Sequence, residues 1–104
     1  MRGRSFVFSL GFHEDFVIRR LSDLAARRGE GVVLFTGSPV APGTRRAFTS
    51  LVDYCTRVGL DAPRLVELPL SDAPRAVSTA VRVVSSLPEP IVADLGGGMR
   101  AERW

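Results

Sequence analysis

Among its 104 residues the chain has no lysine, no asparagine and no glutamine, and it holds one cysteine and one histidine. Each shortage closes off a class of chemistry. A lone Cys55 excludes an intramolecular disulfide and a thiolate metal cage. His13 is the only imidazole, so a Cys–His nucleophile would need a tertiary accident to bring the two together. Without lysine there is no Walker-type phosphate loop. All 14 basic residues are arginine, a side chain better suited than lysine to planar recognition of phosphate. The missing amides fit a heat-adapted source, but a GC-rich genome gives the same arginine bias and explains it more simply. No stretch approaches the ~18 apolar residues of a membrane span, and residues 1–20 lack a signal-peptide cleavage pattern, so a cytoplasmic protein without membrane contact is expected. A pI of about 10.4 rests on a formal charge of only +3, compatible with an anionic ligand but not with a surface that coats nucleic acid.

What remains is an ordinary globular composition, 45% apolar and 24% charged, enough for one domain over residues 1–104 with a modest core. Four apolar runs alternate with three amphipathic segments. Ser5–Leu10 reads as a first strand ending at Gly11. Residues 14–28 read as a helix with Val17, Leu21, Leu24 and Ala25 on one face, acids at its start and Arg27 and Arg28 at its end. Val32–Thr36 is a second strand. Residues 44–58 form a second helix, with Thr44 as its cap and Ala47, Phe48, Leu51, Cys55 and Val58 on its inner face. Leu65–Leu68 is a short third strand. Ser71 or Asp72 caps a third helix whose buried stripe is Val77, Val81 and Val84, with Pro74 in its first turn. Ile91–Leu95 is the fourth strand. Strands two and four are almost continuously apolar, as when helices cover both faces of a sheet. The β-α-β-α-β-α-β order predicts an α/β protein, a Rossmann-like three-layer α/β/α fold with a parallel sheet of order 3-2-1-4 and right-handed crossovers. A complete doubly wound sheet would continue beyond Trp104, so the chain is expected to be a truncated portion or to be covered by another chain.

In such a sheet ligands bind beyond the carboxyl ends of the strands where their order reverses. That reversal falls between strands one and four, followed here by Gly11-Phe12-His13-Glu14 and by Gly96-Gly97-Gly98-Met99-Arg100. Glycines admit a ligand to the backbone, the helix start that follows offers free N–H groups, and Arg100 adds a charged fork. Three glycines in a row exceed what a tight turn needs. Gly96 to Ala101 also satisfies a G-x-G-x-x-A pattern, but in the wrong βα unit, which argues against a nicotinamide cofactor; no cofactor is expected. Hydroxyls of Thr36, Ser38 and Thr44 could reach a ligand rim, although capping explains Thr44 equally well. Asp94 is read as accepting backbone N–H bonds from the glycine loop. His13 and Glu14 are helix neighbours pointing to different sides, which suits binding or capping rather than acid–base work.

The same places carry a resemblance. Leu10-Gly11-Phe12-His13-Glu14, the stretch Gly37-Ser38-Pro39 to Gly43-Thr44-Arg45, and the proline-flanked strand running into Gly97-Gly98-Met99-Arg100 together resemble the N-terminal CARF domain, a CRISPR-associated Rossmann fold, of the archaeal Csa-type transcriptional regulators. The resemblance spans nearly all of the chain. It implies a homodimer that binds a cyclic oligoadenylate, often cyclic tetra-adenylate, across its two-fold axis, through Gly11 and Phe12 and through Gly96 to Arg100. It also implies control of transcription through a winged-helix domain that contacts DNA, and that domain is absent from this chain. The family's hydroxyl residue after Asp-Leu is here Gly96, so one ligand contact is lost. Some related domains cleave the ring slowly without metal; no residue here identifies that activity, and a sensor without chemistry is the expected reading.

Overall fold

The structure, a computed structural model, describes residues 3–95. Strand β1 (Ser5–Ser9) leads through helix α1 (Asp15–Asp23) to β2 (Gly31–Gly37). Helix α2 (Pro42–Val58), β3 (Arg64–Leu68), α3 (Ala73–Ser85) and β4 (Ile91–Asp94) follow in turn. All pairings are parallel, in the order β3-β2-β1-β4, as the alternating pattern predicts. The first two crossovers step one way along the sheet and the third steps back. Right-handed connections therefore place α1 and α2 on one face and α3 on the other.

Alternation along β1 divides the core between these faces. Phe6, Phe8 and Leu10 pack with Val32 and Leu34 against Val17 and Leu21 of α1 and Ala47, Leu51 and Cys55 of α2. Val7, Val33 and Phe35 pack with Leu68 against Ala76 of α3. The central strands β1 and β2 are buried almost end to end, whereas no residue of β4 is fully buried. β4 is an edge strand among the described residues and keeps partial exposure along its length.

Three helices depart from the periodicity expected of them. Helix α1 stops at Asp23 rather than at Arg28. Ala25 adopts a left-handed φ of 54°, and Ala25 and Ala26 N–H groups fold back onto the carbonyls of Ser22 and Leu21. The Arg4 guanidinium then donates to the free carbonyl of Leu24 at 2.9 Å. A partner from 20 residues upstream thus satisfies the helix end, a cap that local spacing does not reveal. Leu24 packs against the core from outside the helix and Ala25 is exposed.

Helix α2 starts two residues early, with Ala41 as N-cap and Pro42 in the first helical position. Thr44 is consequently not the cap but a buried residue of the first turn, and Val58 at the other end is exposed rather than inward-facing. In α3, Asp72 caps as expected by accepting from the Arg75 N–H, but the buried stripe is rotated. Val77 and Val81 are 63% and 58% exposed, while Ala76, Ala80, Val83 and Val84 face the sheet. The alanines bring the helix backbone close to the sheet, and that proximity outweighs burial of two larger side chains.

Candidate functional site

Parallel strands bring all their carboxyl ends to one edge, and the loops beyond β1 and β2 part there around a cleft of about 430 Å³. Its walls are Gly11, Phe12 and His13 after β1, and Thr36 and Gly37 closing β2. Pro39 and Ala41 contribute the rim, Thr44 the first turn of α2, and Leu70 the segment after β3. No arginine and no carboxylate lines it among the described residues.

Phe12 is 59% exposed, an unusual state for an aromatic ring beside a core. One side of it rests on Gly43, where an added Cβ would lie 3.0 Å from Phe12 Cδ1. Gly37 makes a similar close approach, with Leu70 Cδ1 only 2.6 Å from the position of a Cβ. A side chain at either glycine would thus press on a wall residue of the cleft.

Polar groups on the α2 side are all neutral donors or acceptors. Thr36 and Thr44 are 6% and 3% exposed, and neither hydroxyl bonds to another group among the described residues. Ala41 offers no side-chain cap, so the Gly43 and Thr44 N–H groups, lying within the first turn, lack intrahelical partners.

On the far side of β1 the exit of β4 is tied down. Arg20 Nε of α1 donates to Asp94 Oδ2 at 2.9 Å, and Ser9 Oγ donates to the Leu95 carbonyl at 3.0 Å. Phe8 and Asp94 are register partners, so these bonds fix the point where the chain leaves β4, alongside the β1 exit. Asp94 is expected to accept from the glycine loop, which lies outside the described residues; within them it accepts from Arg20 of α1.

Of the site residues expected from sequence, Gly11, Phe12 and Thr36 meet in one cleft. Ser38 is exposed beyond its rim, next to a cis Ser38–Pro39 bond, and does not line it. Gly96, Gly97, Gly98, Met99 and Arg100 lie outside the described residues. Leu70 is a wall residue that sequence reasoning did not assign to ligand, and Thr44, weighed there between a ligand rim and a cap, lines the wall too. Pro42 was the available signal for Thr44, since proline in the first helical position puts residue 44 inside the first turn.

Cys55 has no part in this site. It is fully buried, and burial pushes its thiol up to about 11. It also sits about 20 Å from the start of α2 at 1.5 Å per residue. A Cys55–His13 pair does not form. The described residues contain no group of three or more side chains able to hold a metal ion, and no helix among them is long and apolar enough to cross a membrane.

Comparison with known proteins agrees with this architecture. Residues 4–101 match the family described as the Csa3 CRISPR-associated Rossmann-like domain. The chain belongs to that family. It is 35% identical over 97 residues to a Saccharolobus solfataricus protein named "CRISPR locus-related putative DNA-binding protein Csa3". The shared region is 93% of this chain but 41% of the relative, so the chain spans about two-fifths of the length of that protein. The match reaches past β4 into the glycine-rich segment, so the family relationship covers both loops that flank the reversal point of the sheet.

Proposed function

We propose that this domain is the sensor module of a CRISPR-associated regulator and binds a cyclic oligoadenylate, cyclic tetra-adenylate foremost, without cleaving it. The observation that carries this reading is Phe12, a mostly exposed ring resting on Gly43 in the mouth of a cleft that no arginine and no carboxylate lines among the described residues. An open aromatic face takes a nucleobase of any sequence by stacking. Backbone and hydroxyl donors beside it suit a sugar–phosphate backbone. Family membership supplies the CRISPR context, and the site lies at the sheet edge where α/β domains bind nucleotides.

Half of a cyclic ligand is all that one such cleft can hold. A homodimer would present the same wall twice to a ring of matching symmetry, which is the economical way to bind it. Gly96 to Arg100 would approach the ring from the β4 side, with Arg100 on phosphate. Any contact with DNA would belong to a further domain, as in a winged-helix regulator whose conformation the bound messenger biases.

Titrating the protein with cyclic tetra-adenylate tests this directly. The expected outcome is a raised melting temperature with a saturable heat of binding, and a ring recovered intact by chromatography. Steady conversion to linear di-adenylate would refute a pure sensor in favour of a metal-independent ring nuclease. No thermal shift with any cyclic oligoadenylate would leave the domain as an interaction module.

A further inference from the structure

We infer that the first turn of α2, together with Thr36, forms a phosphodiester subsite in which every donor is neutral. Two independent elements converge there. Helix α2 supplies the Gly43 and Thr44 N–H groups, left free because Ala41 cannot cap and Pro42 has no N–H. Strand β2 supplies Thr36, whose 6% exposure would make an unpaired hydroxyl costly if it were sealed in. It is not sealed in. No buried side-chain oxygen lacks a hydrogen-bond partner among the described residues, and the Thr36 and Thr44 hydroxyls have none. Both oxygens therefore keep some accessible surface, and both residues line the cleft.

Thr36 and Thr44 thus line one small volume at the positive end of a 17-residue helix, with the free Gly43 N–H in the adjoining residue. Such a set wants an oxyanion. It discriminates by charge, because no arginine lines the cleft, and Arg45 and Arg46 are exposed. Neutral donors and a helix end match the single charge of a phosphodiester better than the double charge of a terminal phosphate, which needs a cation to offset its desolvation. The subsite lies beside Phe12, whose ring rests on Gly43. One nucleotide of a ring could stack its base on Phe12 and place its bridging phosphate on the α2 turn. This deepens the reading proposed above and rests on it only for the identity of the natural ligand.

The test is a backbone-amide NMR titration with dimethyl phosphate, inorganic phosphate at pH 8 and cyclic tetra-adenylate. The Gly43 and Thr44 amides should move and saturate with dimethyl phosphate and with the ring, and respond far less to the dianion. Thr36→Val and Thr44→Val should each weaken saturation about tenfold, the loss of one hydrogen bond to an anion. Thr36→Ser and Thr44→Ser, which keep the hydroxyl, should retain it; they also guard against a valine variant that folds poorly. Saturation equal in the valine variants, or amide shifts that stay linear with dimethyl phosphate, would overturn the subsite. Ring binding that leaves both amides unmoved would overturn it while sparing the sensor reading. Dimethyl phosphate binding without ring binding would support the subsite and remove the sensor reading.

Discussion

Glu30 is the most consequential charged group in the fold, and replacing it by glutamine should produce a pH-dependent loss of stability. Its side chain is 2% exposed and accepts from Arg4 Nε at 2.8 Å and Nη2 at 3.1 Å. The backbone N–H groups of Arg4 and Arg27 add bonds of 3.0 Å each. These donors, the Arg4 side chain first, outweigh desolvation and hold the carboxyl down at about 2, against an ordinary value of 4.5. At about 1.36 kcal/mol per pKa unit that displacement corresponds to at most ~3 kcal/mol. Arg4 is 27% exposed, so solvent screening reduces the expected contribution to about 1–2 kcal/mol. A carboxyl depressed in the folded state binds its proton more readily when unfolded. Its stabilisation is therefore complete above the unfolded value near 4.5 and disappears as pH falls towards 2. Urea denaturation of wild type and Glu30→Gln should differ by about 1–2 kcal/mol at pH 7. The two curves should draw together as pH falls from 4.5, where the unfolded chain takes up the proton, and meet near pH 2, where the folded carboxyl takes it up as well. In this size range about 1 kcal/mol moves the melting temperature by ~4–8 °C, so the gap is easily measured. A gap of constant size from pH 7 down to pH 2.5, or none at pH 7, would refute the argument.

Phe12→Ala should leave the melting temperature nearly unchanged and weaken cyclic tetra-adenylate binding by about 1–3 kcal/mol per stacked base, readable by calorimetry; an unchanged Kd would remove Phe12 from the site. Gly43→Ala should hold or raise stability by up to about 1 kcal/mol, as alanine does in a helix, yet weaken ligand binding because the new Cβ displaces the ring resting there. Val81→Ser should cost less than about 0.5 kcal/mol by denaturation, since the residue faces solvent; a cost of ~2 kcal/mol would restore the stripe that periodicity suggests. Cys55 should resist a disulfide reagent at pH 8 in the folded protein and react fully in urea, because its thiol is buried and held up at about 11.

Strand order was readable because it depends on coarse signals, whereas the cleft among the described residues opens between the exits of β1 and β2 and the expected meeting of the β1 and β4 loops rests on residues outside that range. Four apolar runs joined by short amphipathic segments leave few parallel topologies, and right-handed crossover selects among them. The errors arose where a residue distant in sequence decided a local outcome. Nothing near residue 23 predicts that Arg4 will satisfy the α1 carboxyl end. Nothing in Val77-Ser-Thr-Ala-Val81 shows that α3 approaches the sheet through its alanines, because a valine stripe at helical spacing satisfies the periodicity equally well. Glu30 reads as one polar residue in a Gly-Glu-Gly turn until Arg4 is placed beside it. Phe12, by contrast, was named by its position just past a strand end and by the family resemblance.

The two halves of the candidate site therefore have different origins. The β1 side is dictated by topology: wherever the sheet reverses, Gly11 and Phe12 must emerge beside it. The α2 side depends on a two-residue shift in where a helix begins. Had Thr44 been the cap, its hydroxyl would be bonded to a first-turn amide, and both donors would be lost to a ligand. With Ala41 and Pro42 taking those positions, the first-turn amides keep no capping partner and Thr44 lines the cleft with Thr36. Mutating Ala41 to serine should therefore act against binding while favouring the fold. A capping hydroxyl would stabilise α2 by about 0.5–2 kcal/mol and occupy an amide that the anion requires. Higher stability with weaker ring binding would tie the open cleft to the missing cap, and higher stability with unchanged binding would break that tie.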